Sequence, residues 1–168
     1  MKKRISRTCF LAAIFVSLLI VSVAYRAGLS TTRVGDRAPA LTFESAPNDA
    51  LRALRGKYVL LCFWSSTDAA SREAVARYSS WIERQHNTDV GMIAYNFDRS
   101  EPLFNEIVKR DGLNQQLQFR LSPKGMRRLM RDYSLGAGQY GTLLIDPDGH
   151  IVAHNPSTSA LPSLLADS

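Results

Sequence analysis

The sequence predicts an α/β fold with a central mixed β-sheet flanked by helices, preceded by an apolar N-terminal leader. Strand-like and helix-like segments alternate over residues 57–133, as they do in sheets that helices cover. Lys57–Trp64 is an almost continuous apolar run, typical of a strand that is buried on both faces. Thr142–Asp146 and His150–His154 flank Pro147–Gly149, and this pattern predicts a closing hairpin.

The first elements of the folded part are a short strand, a turn and a long helix. Ala40–Ser45 is predicted as the strand, and Ala46–Asp49 as the turn that follows it. From Asp68 to about Gln85 the apolar residues recur at the spacing of one helix face. These residues are Ala70, Ala74, Val75, Tyr78, Trp81 and Ile82.

Further strands and helices follow in alternation. Val90–Phe97 is predicted as a second central strand, and Glu101–Arg110 as a helix with its apolar side turned inward. Gln116–Arg120 is predicted as a short strand. Ser122-Pro123 predicts a helix start, because serine is a good N-cap and proline suits the first helical position. A short terminal helix is expected at Ser159–Leu165.

Four segments share a pattern with one group of proteins. Val34–Leu41 is similar to their first strand, Leu51–Trp64 to their L-x-x-L-x-G-K-x-V-L-L-x-F-W run, and Thr142–Val152 to their T-F-L-I-D-x-D-G-x-I-V hairpin. Asn96-Phe97-Asp98 stands where they carry a strand that ends on Asp. The chain therefore resembles periplasmic thioredoxin-like proteins of the TlpA/ResA and AhpC/TSA (redoxin) type, over roughly Val34–Ile151, and the resemblance implies a thioredoxin-like fold.

Two positions depart from the pattern of that family. The family's C-x-x-C motif reads Asp68-Ala69-Ala70-Ser71 here, and its cis-proline position falls on Tyr140 in Gln139-Tyr140-Gly141-Thr142. A cis bond before a residue other than proline costs about 2.5–4 kcal/mol, so this peptide bond is expected to be trans. Because both halves of the redox site differ together, the sequence favours a site that is no longer used for disulfide exchange.

The residues at the altered motif also limit its chemistry. Disulfide exchange needs a thiolate that attacks and a second thiol that resolves the mixed disulfide. The carboxylate of Asp68 and the hydroxyl of Ser71 can do neither, and peroxide reduction is excluded for the same reason. Asp68 is expected instead to cap the helix that follows, where an acceptor meets free N–H groups and the positive helix end. No catalytic residue is therefore predicted.

Metal or cofactor chemistry has little support in the sequence. His86, His150 and His154 lack tight metal-ligand spacing, although the last two would face one side of a predicted strand as a weak surface pair. Asp146-Pro147-Asp148-Gly149 is a hairpin turn without the later acidic ligands of a calcium loop. We therefore predict neither a metal nor a cofactor.

The sequence contains two cysteines, Cys9 and Cys62. Cys9 belongs to the leader, so pairing between the two is not expected. Cys62 lies inside the first central strand, where a thiol behaves as a small buried hydrophobe and is inert unless its pKa is lowered. Catalysis through Cys62 would require an exposed thiol with a lowered pKa.

The net charge of +6 is unevenly distributed. Lys2, Lys3, Arg4 and Arg7 precede the apolar leader, and without them 17 basic residues stand against 15 acidic ones. This near balance does not indicate nucleic-acid binding. A basic cluster remains, which is either a solvated helix face or a patch for an acidic partner. It comprises Arg120, Lys124, Arg127, Arg128 and Arg131.

The N-terminal segment predicts passage across a membrane. Residues 8–25 are uncharged and mostly apolar, and the cations before them orient the N-terminus inward. The run is long enough for an anchor, which we favour slightly, although Ser22-Val23-Ala24 could serve as a signal-peptidase site. We assign residues 1–25 to the signal anchor or signal peptide, 26–33 to a stalk and 34–168 to a thioredoxin-like domain. The domain is expected on the extracytoplasmic side, anchored in the inner membrane or free in the periplasm.

Three hypotheses for function follow. The first is a tethered module that binds a protein or an extended peptide in the former active-site groove; family members bind through the backbone of the residue matching Gln139. The second is a thiol-disulfide oxidoreductase or peroxidase that acts through Cys62, and the third is a structural subunit of an envelope assembly. The groove candidates are Trp64, Thr67, Asp68, Ala69, Ala70, Gln139, Tyr140 and Gly141.

Overall fold

The structure is a computed structural model, and it describes residues 32–41, 48–85 and 89–166. The predicted leader (residues 1–25), residues 26–31 of the predicted stalk, and His86 lie outside the described residues. Most of the strand predicted at Ala40–Ser45 also lies outside them.

The described part contains five strands and five α-helices. The strands are β1 (Tyr58–Trp64), β2 (Val90–Asn96), β3 (Gln118–Arg120), β4 (Gly141–Ile145) and β5 (Ile151–His154). The helices are α1 (Asn48–Ala53), α2 (Ala69–Glu83), α3 (Glu101–Arg110), α4 (Pro123–Asp132) and α5 (Leu161–Ala166), and a 3₁₀ turn spans Gln115–Leu117.

The strands form one mixed sheet in the order β3-β2-β1-β4-β5. β1 is parallel to β2, with Trp64 opposite Asn96, and antiparallel to β4, with Leu61 opposite Leu143. β1 is therefore the central strand, and its apolar sequence follows from burial on both sides. The predicted mixed sheet flanked by helices is confirmed.

Each face of the sheet packs against its own set of helices. On one face, Leu60 and Cys62 of β1 lie in a cluster with Val75 of α2, Phe104 of α3 and Leu161 of α5. On the other face, Leu51 of α1, Leu54 just after α1, and Met126 and Leu129 of α4 pack against the sheet. The alternation of side chains along β1 thus divides the core into two apolar layers.

The start of the domain differs from the sequence prediction. Asn48 and Asp49, predicted in a turn, begin helix α1, and the described residues Ala40 and Leu41 are not in a strand. Instead, Arg37 forms a single antiparallel bridge with His150. The six residues of helix α1 are too few to show helical periodicity in the sequence. The helix is stabilised by packing, because Leu51 and, just after the helix, Leu54 contact the core.

Among the described residues, no helix combines the length and the apolar character that crossing a membrane requires.

Candidate functional site

The candidate site is built around the N-terminus of α2. β1 ends at Trp64, a loop follows, and Asp68 takes the N-cap position with extended backbone angles (φ −104°, ψ 108°). Its Oδ1 accepts a hydrogen bond of 2.7 Å from the backbone N–H of Ser71. The predicted capping role of Asp68 is confirmed. The bond from Ser71 holds the pKa of the Asp68 carboxyl below its ordinary value, so the group is ionised at neutral pH.

Ser71 closes the turn from the other side. Its hydroxyl donates to the carbonyl oxygen of Asp68 and accepts from the N–H of Ser65, both at 3.3 Å. Ser71 is buried, whereas Asp68 reaches the surface. Asp68 and Ser71 are thus bonded to each other, and this turn carries no thiol.

A buried carboxylate holds the loop between β1 and α2. Asp98 is 6% exposed and accepts from the hydroxyl of Ser65 at 2.7 Å and from the N–H of Ser66 at 3.0 Å. The side-chain amide of Asn96 donates to its other oxygen at 3.0 Å. The sequence analysis identified the Asn96-Phe97-Asp98 pattern but not this role, because the role depends on the parallel pairing of β1 and β2.

The loop of residues 139–141 faces the N-terminus of α2. No cis peptide bond occurs in the described ranges, so the bond before Tyr140 is trans, as predicted. The ring of Tyr140 lies 6.0 Å from that of Phe97. The N–H of Gln139 donates to the carbonyl of Gly136 at 3.0 Å and is therefore already used within the loop.

Asn155 fixes the other end of this loop. Its backbone is left-handed (φ 46°), a conformation that asparagine tolerates, and its side-chain oxygen accepts from the N–H of Thr142 at 2.7 Å. A Cβ on Gly141 would come within 2.9 Å of that oxygen, so glycine is required there for this contact. Apart from its place after a predicted strand, no feature of the sequence indicates this role of Asn155.

An open groove of about 570 Å³, the Asp68 groove, lies between α2, the loop and the segment after β5. Tyr78 forms part of it and donates its hydroxyl to the carbonyl of Pro156 at 2.6 Å. Burial raises the pKa of Tyr78, which remains a neutral donor. The groove is lined by Asp68, Ala70, Ser71, Ala74, Arg77, Tyr78, Gly138, Tyr140, Gly141, Asn155, Pro156, Ser157 and Thr158.

The predicted groove residues divide into two sets. Asp68, Ala70, Tyr140 and Gly141 line the Asp68 groove, and Gln139 lines a second groove of about 340 Å³ on the other side of the loop. Thr67 and Ala69 line neither groove, although both are exposed nearby.

Trp64 requires a correction. It was predicted as a candidate for the groove, but it is fully buried and its ring packs 6.1 Å from that of Phe104. The alternation along β1 turns it toward α3 rather than toward the surface. Trp64 is therefore a core residue and offers no anchor to a partner.

The sequence analysis missed the wall after β5. Residues 155–158 line the Asp68 groove together with Arg77 and Tyr78 of α2. Tyr78 was recognised only by its helical spacing, which predicts a core residue. The approach of Pro156 to Tyr78 arises from tertiary packing between segments 78 residues apart in the chain, and no local pattern predicts it.

The thiol of Cys62 lies in the core rather than in a groove. Cys62 is 1% exposed, and burial raises its pKa to about 12. This confirms the interpretation of Cys62 as a small buried hydrophobe. The exposed thiol with a lowered pKa that catalysis would require is not present at this position.

One ion pair connects α2 with α3. Arg72, in the first turn of α2, pairs with Asp111 at the end of α3, and the second of its two bonds joins Nη2 to Oδ1 at 2.6 Å. This bond from Arg72 holds the pKa of Asp111 below its ordinary value. The pair fixes the helix that carries the candidate site.

Within the described ranges, no three His, Cys, Asp or Glu side chains are placed to hold a metal ion. His150 faces Asp146, with 3.7 Å between Nδ1 and Oδ2. His154 lies at the end of β5 and lines the second groove.

Comparisons with known proteins identify the fold. No family model matches the sequence, and no curated protein matches it. Three of the solved structures that match have a TM-score of 0.67 each. A thioredoxin-like protein from Parabacteroides distasonis is 28% identical, over 80% of this chain and 96% of that one. The thioredoxin domain of a thiol-disulfide oxidoreductase from Bacteroides vulgatus is 21% identical, over 80% and 99%.

The third structure is a thiol:disulfide interchange protein from a Bacteroides species, 20% identical over 82% of this chain and 93% of that one. The predicted resemblance to thioredoxin-like proteins is therefore confirmed, and the fold is thioredoxin-like.

Proposed function

We propose that this protein is a membrane-tethered, extracytoplasmic thioredoxin-like domain that lacks redox cysteines and binds a protein or an extended peptide in the Asp68 groove. One observation carries the proposal. At the start of α2, Asp68 and Ser71 are bonded to each other at the mouth of an open groove. We assign these two positions to the places of the family's two cysteines.

The proposed position of the domain draws on the leader and on the structural neighbours. Four cations followed by an apolar run over residues 8–25 are typical of a segment that directs the following domain across a membrane. Two of the similar proteins are named for thiol-disulfide chemistry, and stable protein disulfides persist mainly in oxidising compartments outside the cytoplasm.

Thiol chemistry supports the proposed lack of redox activity. Exchange proceeds through a mixed disulfide, which a carboxylate and a hydroxyl cannot form. Cys62 is the cysteine within the described residues, and at its pKa of about 12 only about one thiol in ten thousand is ionised at pH 8. Burial then keeps even this thiolate away from a protein disulfide.

The shape of the site suits an extended ligand. The Asp68 groove and the second groove share Gly138, Tyr140, Gly141 and Asn155, so they adjoin on either side of the loop. A segment lying along both would pass over this loop. Pairing with the loop backbone would use the carbonyl of Gln139, since its N–H is already bonded to Gly136.

The polar groups in the Asp68 groove indicate how a ligand would be held. Asp68 is the carboxylate among the groove's lining residues, and it remains ionised. Arg77 is the basic residue among the groove's lining residues, and its Nη1 lies 2.5 Å from Oε1 of Glu73, with which it forms an ion pair. A ligand that presents an N–H group or a basic side chain to Asp68 would therefore complement the groove best.

Photocrosslinking in intact cells tests the proposal. A benzophenone side chain replaces Ala70, which is exposed and lines the Asp68 groove. We expect one recurrent protein adduct. Asp68→Arg should remove it, whereas Glu83→Arg, the same charge change at the far end of α2, should leave it intact.

The folded state of each variant must be verified by circular dichroism, because Asp68→Arg also removes the N-cap. Asp68→Asn provides the second control, since asparagine is as good a cap as aspartate but carries no charge. An adduct that forms equally with folded Asp68→Arg would show that the partner does not use this groove.

A further inference from the structure

A third groove, of about 740 Å³, lies on the opposite layer of the domain, between α1, residues 37–41 and the turn that precedes β5. We call it the basic groove. Among the described residues, its charged lining consists of the cations Arg37, Arg52, Arg55 and Lys57 and the acid Asp146. Nothing in the assignment of the Asp68 groove uses these residues.

The four cations have no acidic partner among the residues that the structure describes. Asp146 is engaged elsewhere, because its Oδ1 accepts the N–H of His150 at 2.7 Å. By contrast, Arg72 and Arg77 of α2 both pair with acids.

The floor of the basic groove is apolar. It is formed by side chains of the apolar layer that contains α1 and α4. These are Leu41, Leu51, Leu54, Val59, Tyr133 and Ile145. Val34 lies three residues before Arg37 and is 61% exposed. Among the described residues it is the large apolar side chain that is exposed to solvent. A rim of cations over an apolar floor complements a ligand with an anionic head and an apolar body.

The position of this groove in the chain indicates which ligand it meets. The apolar run predicted to enter the membrane ends at Tyr25, nine residues before Val34. Twelve extended residues, the distance from Tyr25 to Arg37, span at most about 40 Å, so such a tether would keep Arg37 within reach of the bilayer surface. An anionic surface attracts basic side chains within about 10 Å at physiological salt.

We propose that the basic groove docks the domain on anionic phospholipids, with the headgroup phosphates against Arg37, Arg52, Arg55 and Lys57 and the apolar floor against the acyl boundary. The proposal rests on the part of the proposed function that tethers the domain to a membrane. Docking would turn the α1 and α4 layer toward the bilayer. An acidic protein would satisfy the cations but not the apolar floor, which favours lipid.

Fluorescence quenching with the full-length protein tests docking. The protein carries Cys9→Ala and Ala53→Cys, with a fluorophore on position 53, an exposed site beside Arg52. It is placed in nanodiscs that contain brominated lipid and either phosphatidylcholine alone or phosphatidylcholine with phosphatidylglycerol. We expect quenching only with phosphatidylglycerol, and we expect high salt to reverse it.

Paired variants separate the groove from net charge. Each basic side chain near an anionic surface contributes about fivefold, so Arg52→Gln with Arg55→Gln should lower the ratio of docked to undocked protein by about 25-fold. Lys109→Gln with Arg110→Gln removes the same charge from α3, on the other layer, and should leave the ratio unchanged.

Five outcomes would overturn the proposal. Equal quenching in both lipid mixtures, or an equal loss in the two double variants, would show that the basic groove does not recognise anionic lipid. Crosslinking of position 53 to an acidic protein in cells, without an effect of phosphatidylglycerol, would assign the groove to a protein. If the protein enters the nanodiscs but its fluorophore is not quenched, docking is refuted while the membrane tether stands. If the protein does not enter nanodiscs of either composition, both the tether and docking are refuted.

Discussion

Asp68 gives the start of α2 a fixed negative charge. The N–H of Ser71 donates to its carboxylate and lowers its pKa, and the positive end of the helix acts in the same direction. A carboxyl whose pKa is lowered by folding stabilises the protein above its unfolded pKa. This stabilisation is lost as the pH falls through the lower pKa of the folded state.

The capping role predicts an order of stability among variants. At pH 7, Asp68→Ala should lower the urea midpoint, because the N–H of Ser71 loses its acceptor, whereas Asp68→Asn, which keeps an acceptor but loses the charge, should lower it less. Below about pH 4 the difference between wild type and Asp68→Asn should shrink, because the carboxyl becomes protonated in the unfolded chain. Equal midpoints for Asp68→Ala and wild type at pH 7 would contradict the capping role.

The burial of Cys62 predicts a silent thiol. In a Cys9→Ala background, native protein at pH 8 should react with a thiol reagent at least about 1000-fold more slowly than protein in urea, from the difference in ionisation alone. Cys62 should react normally once the chain unfolds. Rapid labelling of the native domain would contradict the buried position and would favour the hypothesis of an atypical thiol enzyme.

At the scale of elements, Asp98 connects β2 to the loop that leads into α2. Asp98→Ala would leave the donors of Ser65, Ser66 and Asn96 without their acceptor, and two of these residues, Ser65 and Asn96, are buried. We expect a loss of about 3 kcal/mol in the free energy of unfolding, measured by urea denaturation.

Asp98→Asn provides the control for this prediction. Its one carbonyl oxygen can still accept from the loop, so the loss should be smaller than for Asp98→Ala. If both variants unfold at the wild-type midpoint, the carboxylate does not hold the loop.

The elements differ in how well the sequence predicted them. Helix α3 spans Glu101–Arg110 as predicted, and Ser122 caps α4 as predicted, because caps and helical periodicity are local signals. Helix α1 was missed, since Asn48 and Asp49 are typical turn residues and the helix is short.

The candidate site was predicted only in part, for a related reason. Asp68 and Tyr140 could be identified because they stand at the C-x-x-C and cis-proline positions of the family's sequence pattern. The wall of residues 155–158 exists only because β5 brings it beside α2, and the burial of Trp64 depends on how β1 turns within the sheet. Such relations between distant segments leave no trace in a local pattern.

At the scale of the whole molecule, the proposed correspondence with a redox site can be tested by rebuilding it. Asp68→Cys with Ser71→Cys, in a Cys9→Ala and Cys62→Ala background, places two thiols three residues apart at a helix start. Residues so placed in a helical turn are about 5–6 Å apart at Cβ, which local adjustment can close to a disulfide. The helix N-terminus should also lower the pKa of the thiol at position 68.

We expect this variant to form the disulfide on mild oxidation and to reduce insulin, whereas the parent stays inactive. Alkylation followed by mass spectrometry measures the first result, and insulin turbidity measures the second. A matched variant with Arg77→Cys and Ser80→Cys, two exposed positions also three residues apart but inside α2, should show no activity. If the rebuilt pair also fails to oxidise, Asp68 and Ser71 do not occupy the places of a redox pair.

The central strand carries a further consequence for the order in which the protein matures. The second strand that pairs with β1 is β4. Leu61 therefore pairs with Leu143, which is synthesised more than eighty residues later. The Asp68 groove needs the same late segment, because its far wall follows β5. During synthesis or export, an incomplete chain therefore presents a bare strand edge, which invites association with other chains, and has no finished groove. The proposed ligand capture would thus begin only when the last strands have joined the sheet, after the stage at which the bare strand edge carries a risk of aggregation.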